Sequence, residues 1–200
     1  MKTFKSLLFF LMINCASYTA FADGHASHAI DSNKSELKWY GSKIVGGAHD
    51  GTINIKSGSL KWEKGILRSG DIVIDMTSIV NSDIKSEKLN KKLVGHLRSD
   101  DFFSVAKHKV ATFKTTKVQS LKGDLHRLWG KMTIKGITKE VDFLVRFSKS
   151  GNSLSVIGEI KLDRTDFDVK YGSGKFFDDL GDKMSSDEIK LNFTLVSSLK

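Results

Sequence analysis

Apolar and polar residues alternate along most of this chain, and this period of two limits its fold more than any other feature. Alternation puts every second side chain on one face of a β-strand, so each such segment predicts a strand with one buried face. The pattern is plain at Ile53/Ile55, Met132/Ile134, Val141/Phe143/Val145/Phe147 and Leu191/Phe193/Leu195. We predict strands near 36–43, 51–62, 66–76, 110–118, 127–135, 139–147, 153–162 and 188–196.

Turn-forming residues separate several of these strands. They are Lys64-Gly65, Lys135-Gly136 and Ser150-Gly151-Asn152. Short turns join neighbouring strands in antiparallel order. The pattern therefore predicts an all-β domain, either a closed barrel or a sandwich, and disfavours a parallel sheet.

One segment has a different period. From Ser86 to Leu97, the apolar residues Leu89, Leu93 and Leu97 recur every four positions with lysines between them, which predicts an amphipathic helix. We also expect a short turn after it, with the side chain of Ser99 capping the segment that opens with Asp100 and Asp101. The stretch from Asp23 to Lys34 is polar and predicts no regular structure.

The beginning of the chain has the layout of a signal peptide. Lys2 and Lys5 precede an apolar stretch from Leu7 to Ile13, and a polar region ends in Ala20-Phe21-Ala22. The apolar run ends at Asn14, far short of the about 20 apolar residues that a membrane-spanning helix requires. We expect cleavage after Ala22, a single domain over 23–200, and a periplasmic location. A lipoprotein acylated at Cys15 is the rival interpretation, and Asn14 before it disfavours that reading.

The chain is basic. Its formal net charge of +9 falls to +7 when Lys2 and Lys5 leave with the leader. Export removes nucleic acid as a partner, so an anionic membrane surface or an acidic protein is the better candidate. Scattered solvated lysines are the plainer explanation, and a homodimer is left open.

The sequence offers little chemistry. Gly172-Ser173-Gly174-Lys175 lacks the Ser or Thr and the strand-to-helix frame of a phosphate-binding loop. Asp163, Arg164 and Asp166 predict a structural Arg–carboxylate pair at a barrel end more than an acid/base site. We therefore expect no enzyme activity and no covalent cofactor.

The histidines do not have the spacing of a zinc site. The one metal candidate is His25, because cleavage after Ala22 would place it third from a free amine, where Cu(II) or Ni(II) binds in a plane. A frayed terminal histidine without metal is the commoner case.

Taken in order, several short motifs of the chain resemble the YceI-like family of exported proteins. None of them is specific alone, and their order and spacing carry the resemblance. They are His49-Asp50-Gly51 with Ile53, Ile74-Asp75-Met76 with Ser78-Ile79, His96-Leu97 with Ser99 and Asp101-Phe102-Phe103, Ala111-Thr112-Phe113, Gly130, Thr133 through Gly136 to Thr138-Lys139, and Asp163-Arg164 with Asp166-Phe167.

The resemblance implies an extended eight-stranded, lipocalin-like antiparallel barrel with a short helix beside its mouth. It also implies a tunnel that binds an amphiphilic lipid, either a polyisoprenoid lipid or an isoprenoid quinone, and a link to stress responses. Two residues depart from the family's pattern. Lys109 stands where proline is common, and Asp168 stands where glycine is usual, so we expect the loop there to bend differently.

An eight-stranded barrel is either filled by side chains or holds one small ligand. The leading hypothesis is a periplasmic carrier of an isoprenoid lipid, and the alternative is a stress or interaction protein with a filled barrel and a basic docking surface. For each lining candidate, core packing is as good an explanation as ligand contact. The candidates are Trp39, Ile53, Ile55, Ile72, Ile74, Met76, Leu93, Leu97, Phe102, Phe103, Phe113, Phe143 and Phe193.

Overall fold

The structure, a computed structural model, describes residues 26–63 and 66–198. These ranges form nine β-strands and one α-helix. In chain order they are β1 (Ala26–Ala29), β2 (Glu36–Lys43), β3 (Ala48–Glu63), β4 (Ile66–Asn81), α1 (Glu87–Arg98), β5 (Val110–Ser120), β6 (Leu125–Ile134), β7 (Ile137–Ser150), β8 (Ser153–Asp163) and β9 (Ser185–Ser198).

Strands β2 to β9 form a closed antiparallel barrel. From β4 to β9 each strand pairs with the next in sequence, β9 pairs with β2, and β2 pairs with β3. The β3–β4 pairing, from Gly51↔Asn81 to Glu63↔Ile66, closes the ring. The prediction of an eight-stranded barrel with one short helix is confirmed, and the sandwich is excluded.

Strand β1 lies in the polar stretch from Asp23 to Lys34, where the sequence pattern predicts no strand. It pairs with the far half of β3, from Ala26↔Trp62 to Ala29↔Ser59, and Ile30 forms a bridge with Ser197 of β9. Strand β1 thus occupies the same position between β3 and β9 as β2 does, at the opposite end of the barrel. Four residues are too few to show a period of two.

The predicted turns agree with the structure where it describes them. Lys135 and Gly136 connect β6 to β7 with φ of 53° and 76°, the geometry of a tight hairpin turn. Gly151, with φ of 55°, begins the two-residue connection between β7 and β8. Lys64-Gly65 lies outside the described residues, as do the predicted signal peptide (1–22), Cys15 and His25.

Several strands are longer than predicted. Strand β4 continues past Met76 to Asn81, with Ile79 buried in the core, although Thr77 and Ser78 interrupt the apolar run. The pairing of β3 with β4 shifts register at three places, which lets two 16-residue strands coil around the barrel. Polar residues at such irregularities hide the period from sequence reasoning.

Glycines make room for aromatic rings inside the barrel. A Cβ on Gly130 would lie 2.4 Å from the ring of Phe113, and one on Gly158 would lie 2.7 Å from the ring of Phe193. The rings therefore rest directly on the backbone of the neighbouring strands. This packing fills the barrel on the side away from α1.

Helix α1 lies against β4 at one end of the barrel. Leu97 is buried and Leu93 is partly buried against the core, but Leu89 is 55% exposed, so the predicted apolar face is two residues wide rather than three. The predicted role of Ser99 is wrong, because its hydroxyl donates 2.8 Å to the carbonyl of His96 and so satisfies the end of α1. In the part of the chain that the structure describes, no helix has the length and hydrophobicity to cross a membrane.

Candidate functional site

An apolar cavity of about 250 Å³ lies in the barrel at the end where α1 packs. Strands β2, β3, β4, β5, β6 and β9 supply its walls, and α1 and the loop after β8 complete it. Exposed residues Lys43 and Gly47 are part of its lining, so it reaches the surface between the β2–β3 turn and that loop. We call this end of the barrel the mouth.

A second, deeper cavity of about 50 Å³ lies next to the first. The two share Leu37, Ile74, Met132 and Leu191 as wall residues. Three phenylalanine rings border the deeper one, with ring centres 5.2 Å apart for Phe113 and Phe143 and 5.9 Å apart for Phe143 and Phe193. The barrel is therefore hollow near its mouth and packed farther in.

All thirteen predicted lining residues border at least one of these cavities, and Ile74 borders both. Those around the cavity at the mouth are Trp39, Ile53, Ile74, Met76, Leu93, Leu97, Phe102 and Phe103. Those around the deeper cavity are Ile55, Ile72, Ile74, Phe113, Phe143 and Phe193. Their contact with a ligand stays a prediction.

Sequence reasoning missed other wall residues for two reasons. Leu37, Ile134 and Leu191 lie on predicted strands with the right alternation, and that signal could have found them. His96 and Tyr171 come from a helix and a loop, where the strand period gives no information.

His49 is a polar wall residue near the mouth, and its ring is held by Asp83. The Nδ1 atom of His49 lies 2.8 Å from Oδ2 of Asp83. The other oxygen of Asp83 accepts hydrogen bonds from Nδ2 of Asn81 and, over 3.1 Å, from the backbone N–H of Asp50. Burial raises the pKa of Asp83, but the hydrogen bonds from His49, Asn81 and Asp50 outweigh it and lower the pKa to about 2.

Arg164 is almost fully buried, at 2% exposure, beside the cavity. Its guanidinium donates to the carbonyls of Ser186 (2.9 Å) and Val169 (2.7 Å) and pairs with Asp187 at 3.3 Å. Desolvation lowers the pKa of Arg164, and the charge of Asp187 partly offsets this. Its donors thus fix the loop to the barrel.

The predicted structural Arg–carboxylate pair is present, but its carboxylate differs from the two near Arg164 in sequence. Arg164 is paired with Asp187 and not with its sequence neighbours. Asp163 pairs with Lys175, and Asp166 lies 3.9 Å from Lys139. Lys175 also lies 3.6 Å from Asp187, so Asp163 and Arg164 belong to one charged network, and the charge of Asp163 acts to raise the pKa of Arg164.

His96, Phe102 and Tyr171 form an aromatic cluster at the mouth. The ring of His96 meets Tyr171 edge-on at 4.3 Å and Phe102 at 5.2 Å. This cluster joins α1 to the loop after β8, since Tyr171 belongs to that loop.

Helix α1 is anchored at both ends. Near its start, Nδ2 of Asn90 donates to the carbonyls of Asn81 (3.0 Å) and Ile84 (3.2 Å). Near its end, Nη2 of Arg98 donates to the carbonyls of Thr77 (2.7 Å) and Ile79 (3.1 Å). The helix is thus a fixed wall of the cavity.

Within 26–63 and 66–198, no three His, Cys, Asp or Glu side chains are placed to hold a metal ion. The wall of the larger cavity is instead hydrocarbon with a few polar groups near the mouth. Such a site can bind the apolar part of an amphiphile and hydrogen-bond its polar end.

These features define a class: an antiparallel barrel with an apolar cavity that opens at one end. Residues 28–197 match the YceI-like domain, and the chain belongs to this family. A UPF0312 protein of Vibrio parahaemolyticus is 31% identical over 137 residues, which are 64% of this chain and 69% of that protein.

Two solved structures share the fold. The first is BcnA of Burkholderia cenocepacia, with a TM-score of 0.68, 22% identity, and coverage of 84% of this chain and 99% of that one. The second is described as a polyisoprenoid binding domain from Saccharophagus degradans implicated in plant cell wall breakdown. It has a TM-score of 0.62, 17% identity, and coverage of 88% and 99%. The predicted family and fold are confirmed.

Proposed function

We propose that this protein is a non-enzymatic periplasmic carrier of an isoprenoid lipid, either a polyprenyl lipid or an isoprenoid quinone. The apolar cavity that opens at the mouth carries the proposal. The family and the polyisoprenoid-binding description of one structural neighbour support it.

The size of the cavity suits a chain segment. A dry apolar cavity of about 150 Å³ in another protein binds benzene, and the cavity here measures about 250 Å³. Each buried CH₂ contributes about 0.8 kcal/mol relative to water, so a few isoprene units give substantial affinity. A longer chain would reach the deeper cavity by displacing the rings of Phe113, Phe143 and Phe193.

The rim of the mouth supports contact with a lipid surface. Ile44 and Val45 at the β2–β3 turn are 61% and 59% exposed, and Phe176 and Phe177 in the loop after β8 are 47% and 49% exposed. The backbone N–H of Ile44 donates 2.9 Å to the carbonyl of Met184, which joins the two rim segments. Because this loop carries both lysines and aspartates, we assign the contact mainly to the apolar side chains rather than to net charge.

The first test is the native cargo. Mature protein is purified gently from its own periplasm, extracted with solvent, and the extract is measured by mass spectrometry. A polyprenyl or quinone species in stoichiometric amount supports the carrier. A tightly folded protein without lipid contradicts the carrier function. That result would favour the alternative, an interaction protein with a filled barrel and a basic docking surface.

A matched pair of variants makes this test specific. Leu93→Glu puts a charge into the cavity wall, whereas Leu89→Glu makes the same change one helical turn away on an exposed side chain. We expect Leu93→Glu to lose the lipid and Leu89→Glu to keep it. Equal retention by the two variants would place the lipid outside this cavity.

Docking has its own test. Phe177→Asp should reduce flotation of the protein with phospholipid vesicles, because it removes an apolar side chain from the rim. Ile157→Asp is the control, since Ile157 is 52% exposed on β8 and does not line either cavity. A similar loss in both variants would show that the rim has no special role.

A further inference from the structure

His49 is the residue on the cavity wall that is best prepared to recognise a polar head group. It lies on β3 opposite Gly41 of β2, next to the mouth, and its side chain is 44% exposed. Its Nδ1 atom is engaged with Asp83, so Nε2 is the ring nitrogen left for a ligand.

The state of Asp83 fixes the proton on the ring. Because the pKa of Asp83 is lowered to about 2, the carboxylate is ionised at neutral pH and can only accept hydrogen bonds. Nδ1 of His49 must therefore carry the proton that lies between them. In the neutral ring, Nε2 is then an acceptor.

The indole of Trp39 and the guanidinium of Arg164, two other polar groups on the cavity wall, are already hydrogen-bonded within the protein. The indole N–H of Trp39 donates 2.9 Å to the carbonyl of Val80. The guanidinium of Arg164 is occupied by backbone carbonyls and Asp187. The ring of His96 packs edge-on against Tyr171 and Phe102, and its Nε2 lies 3.9 Å from a carboxylate oxygen of Asp101.

We propose that Nε2 of His49 accepts a hydrogen bond from a hydroxyl head group, so that the cavity selects isoprenoid alcohols or quinols over ethers, hydrocarbons and oxidised quinones. This rests on the carrier function proposed above. Asp83 acts as a positioning residue, because it sets the tautomer and the direction of the ring without touching the ligand.

The test compares the binding of geranylgeraniol and geranylgeranyl methyl ether at pH 8, followed by the change in tryptophan fluorescence, to which Trp39 in the cavity wall contributes. The two probes share the chain and differ in one donor. The wild-type protein should bind the alcohol about 3- to 10-fold more tightly, the range expected for one net hydrogen bond. His49→Phe should remove the preference and leave the ether within about twofold. His108→Phe, a histidine outside both cavities, should keep it.

Asp83→Asn gives a readout that a merely structural role would not produce. One oxygen of Asp83 accepts from Asn81 and Asp50, so the asparagine keeps its oxygen there and turns its NH₂ toward Nδ1 of His49. Nδ1 then becomes an acceptor, and Nε2 carries the proton and donates. Geranylgeranial, whose aldehyde only accepts, should bind Asp83→Asn more tightly than wild type by about 3- to 10-fold.

The outcomes separate the two proposals. If the wild-type protein binds neither the alcohol nor the ether, the carrier function is wrong. If it binds both equally and neither His49→Phe nor Asp83→Asn changes the ratio, the carrier stands and the head-group assignment is overturned.

Discussion

Asn90 of α1 donates a hydrogen bond from Nδ2 to the backbone carbonyl of Asn81, at the end of β4, over 3.0 Å. Asn81 in turn donates to Asp83, which holds His49. The helix and the polar wall of the cavity are thus joined through one residue at the end of β4. This connection gives predictions for the stability of α1 and for the pH dependence that Asp83 sets.

Asn90→Ala should loosen the start of α1. The change removes donors from the carbonyls of Asn81 and Ile84 in a partly buried setting, and we expect a loss of about 1–3 kcal/mol in the free energy of unfolding. Hydrogen exchange should rise first in the amides of α1. Lys91→Ala, on the exposed face beside it, is the control. Equal exchange rates of the α1 amides in the two variants would show that Asn90 does not anchor the helix.

Two glycine-to-alanine substitutions should change the free energy of unfolding in opposite directions, one beneath an aromatic ring of the barrel and one on α1. Gly130→Ala places a methyl group 2.4 Å from the Phe113 ring and should destabilise the barrel by about 1–3 kcal/mol. Gly95→Ala, at an exposed position of α1 where an added Cβ meets nothing within 4 Å beyond the adjoining helix backbone, should stabilise the protein by about 0.8–1.0 kcal/mol. Chemical denaturation measures both. A neutral Gly130→Ala would mean that the ring moves freely.

The alternation of apolar residues was enough to predict the eight barrel strands, because a closed barrel has one buried face on each of them. It could not predict β1, which is too short to show a period, or the extension of β4 across Thr77 and Ser78, where register shifts interrupt it. The wall residues on strands follow the same logic and were found in large part.

The polar part of the site depends on contacts between distant segments. His49 and Asp83 are 34 residues apart, and Arg164 and Asp187 are 23 apart. No local pattern marks either pair. Sequence proximity instead suggested Asp163 and Asp166 as partners of Arg164, whose ion-pair partner is Asp187, and Asp163 joins this network only through Lys175, which pairs with both aspartates.

Asp83 should make stability depend on pH in the acid range. Its pKa is about 2 in the folded protein against an ordinary 3.8, so its contribution is complete above about pH 4 and disappears as the pH falls through 2. The full shift corresponds to about 2 kcal/mol, and partial exposure reduces this to about 1 kcal/mol. The difference in unfolding free energy between wild type and Asp83→Asn should therefore shrink between pH 6 and pH 2.5. If the difference in unfolding free energy stays constant over this pH range, the pKa of Asp83 is not lowered in the folded protein.

Arg164→Lys should destabilise the barrel despite keeping the charge. A single ammonium cannot reach the carbonyls of both Ser186 and Val169 as the guanidinium does, and the site is 2% exposed. We expect a loss of about 2–4 kcal/mol. Arg146→Lys is the matched control: this arginine, 65% exposed, pairs with Asp124 at the surface and should change stability by less than about 0.5 kcal/mol. Equal effects would mean that the guanidinium geometry is unimportant.

Filling the cavity separates ligand binding from folding. Ala111, on β5, is 3% exposed and lines the cavity at the mouth. It is paired with its neighbour Ile74 on the adjacent strand β4. Because the cavity measures about 250 Å³, the larger side chain of Ala111→Leu has space, and we expect stability to change by less than about 1 kcal/mol.

The same change occupies volume that an isoprenoid chain would use. Binding of geranylgeraniol, measured by titration, should weaken about tenfold or more in Ala111→Leu, since about two displaced CH₂ groups account for such a loss. Ala48→Leu, at the start of β3 and outside both cavities, should bind as wild type does. If Ala111→Leu also binds as wild type does, the chain does not lie in this cavity, and the lipid must be held elsewhere on the protein.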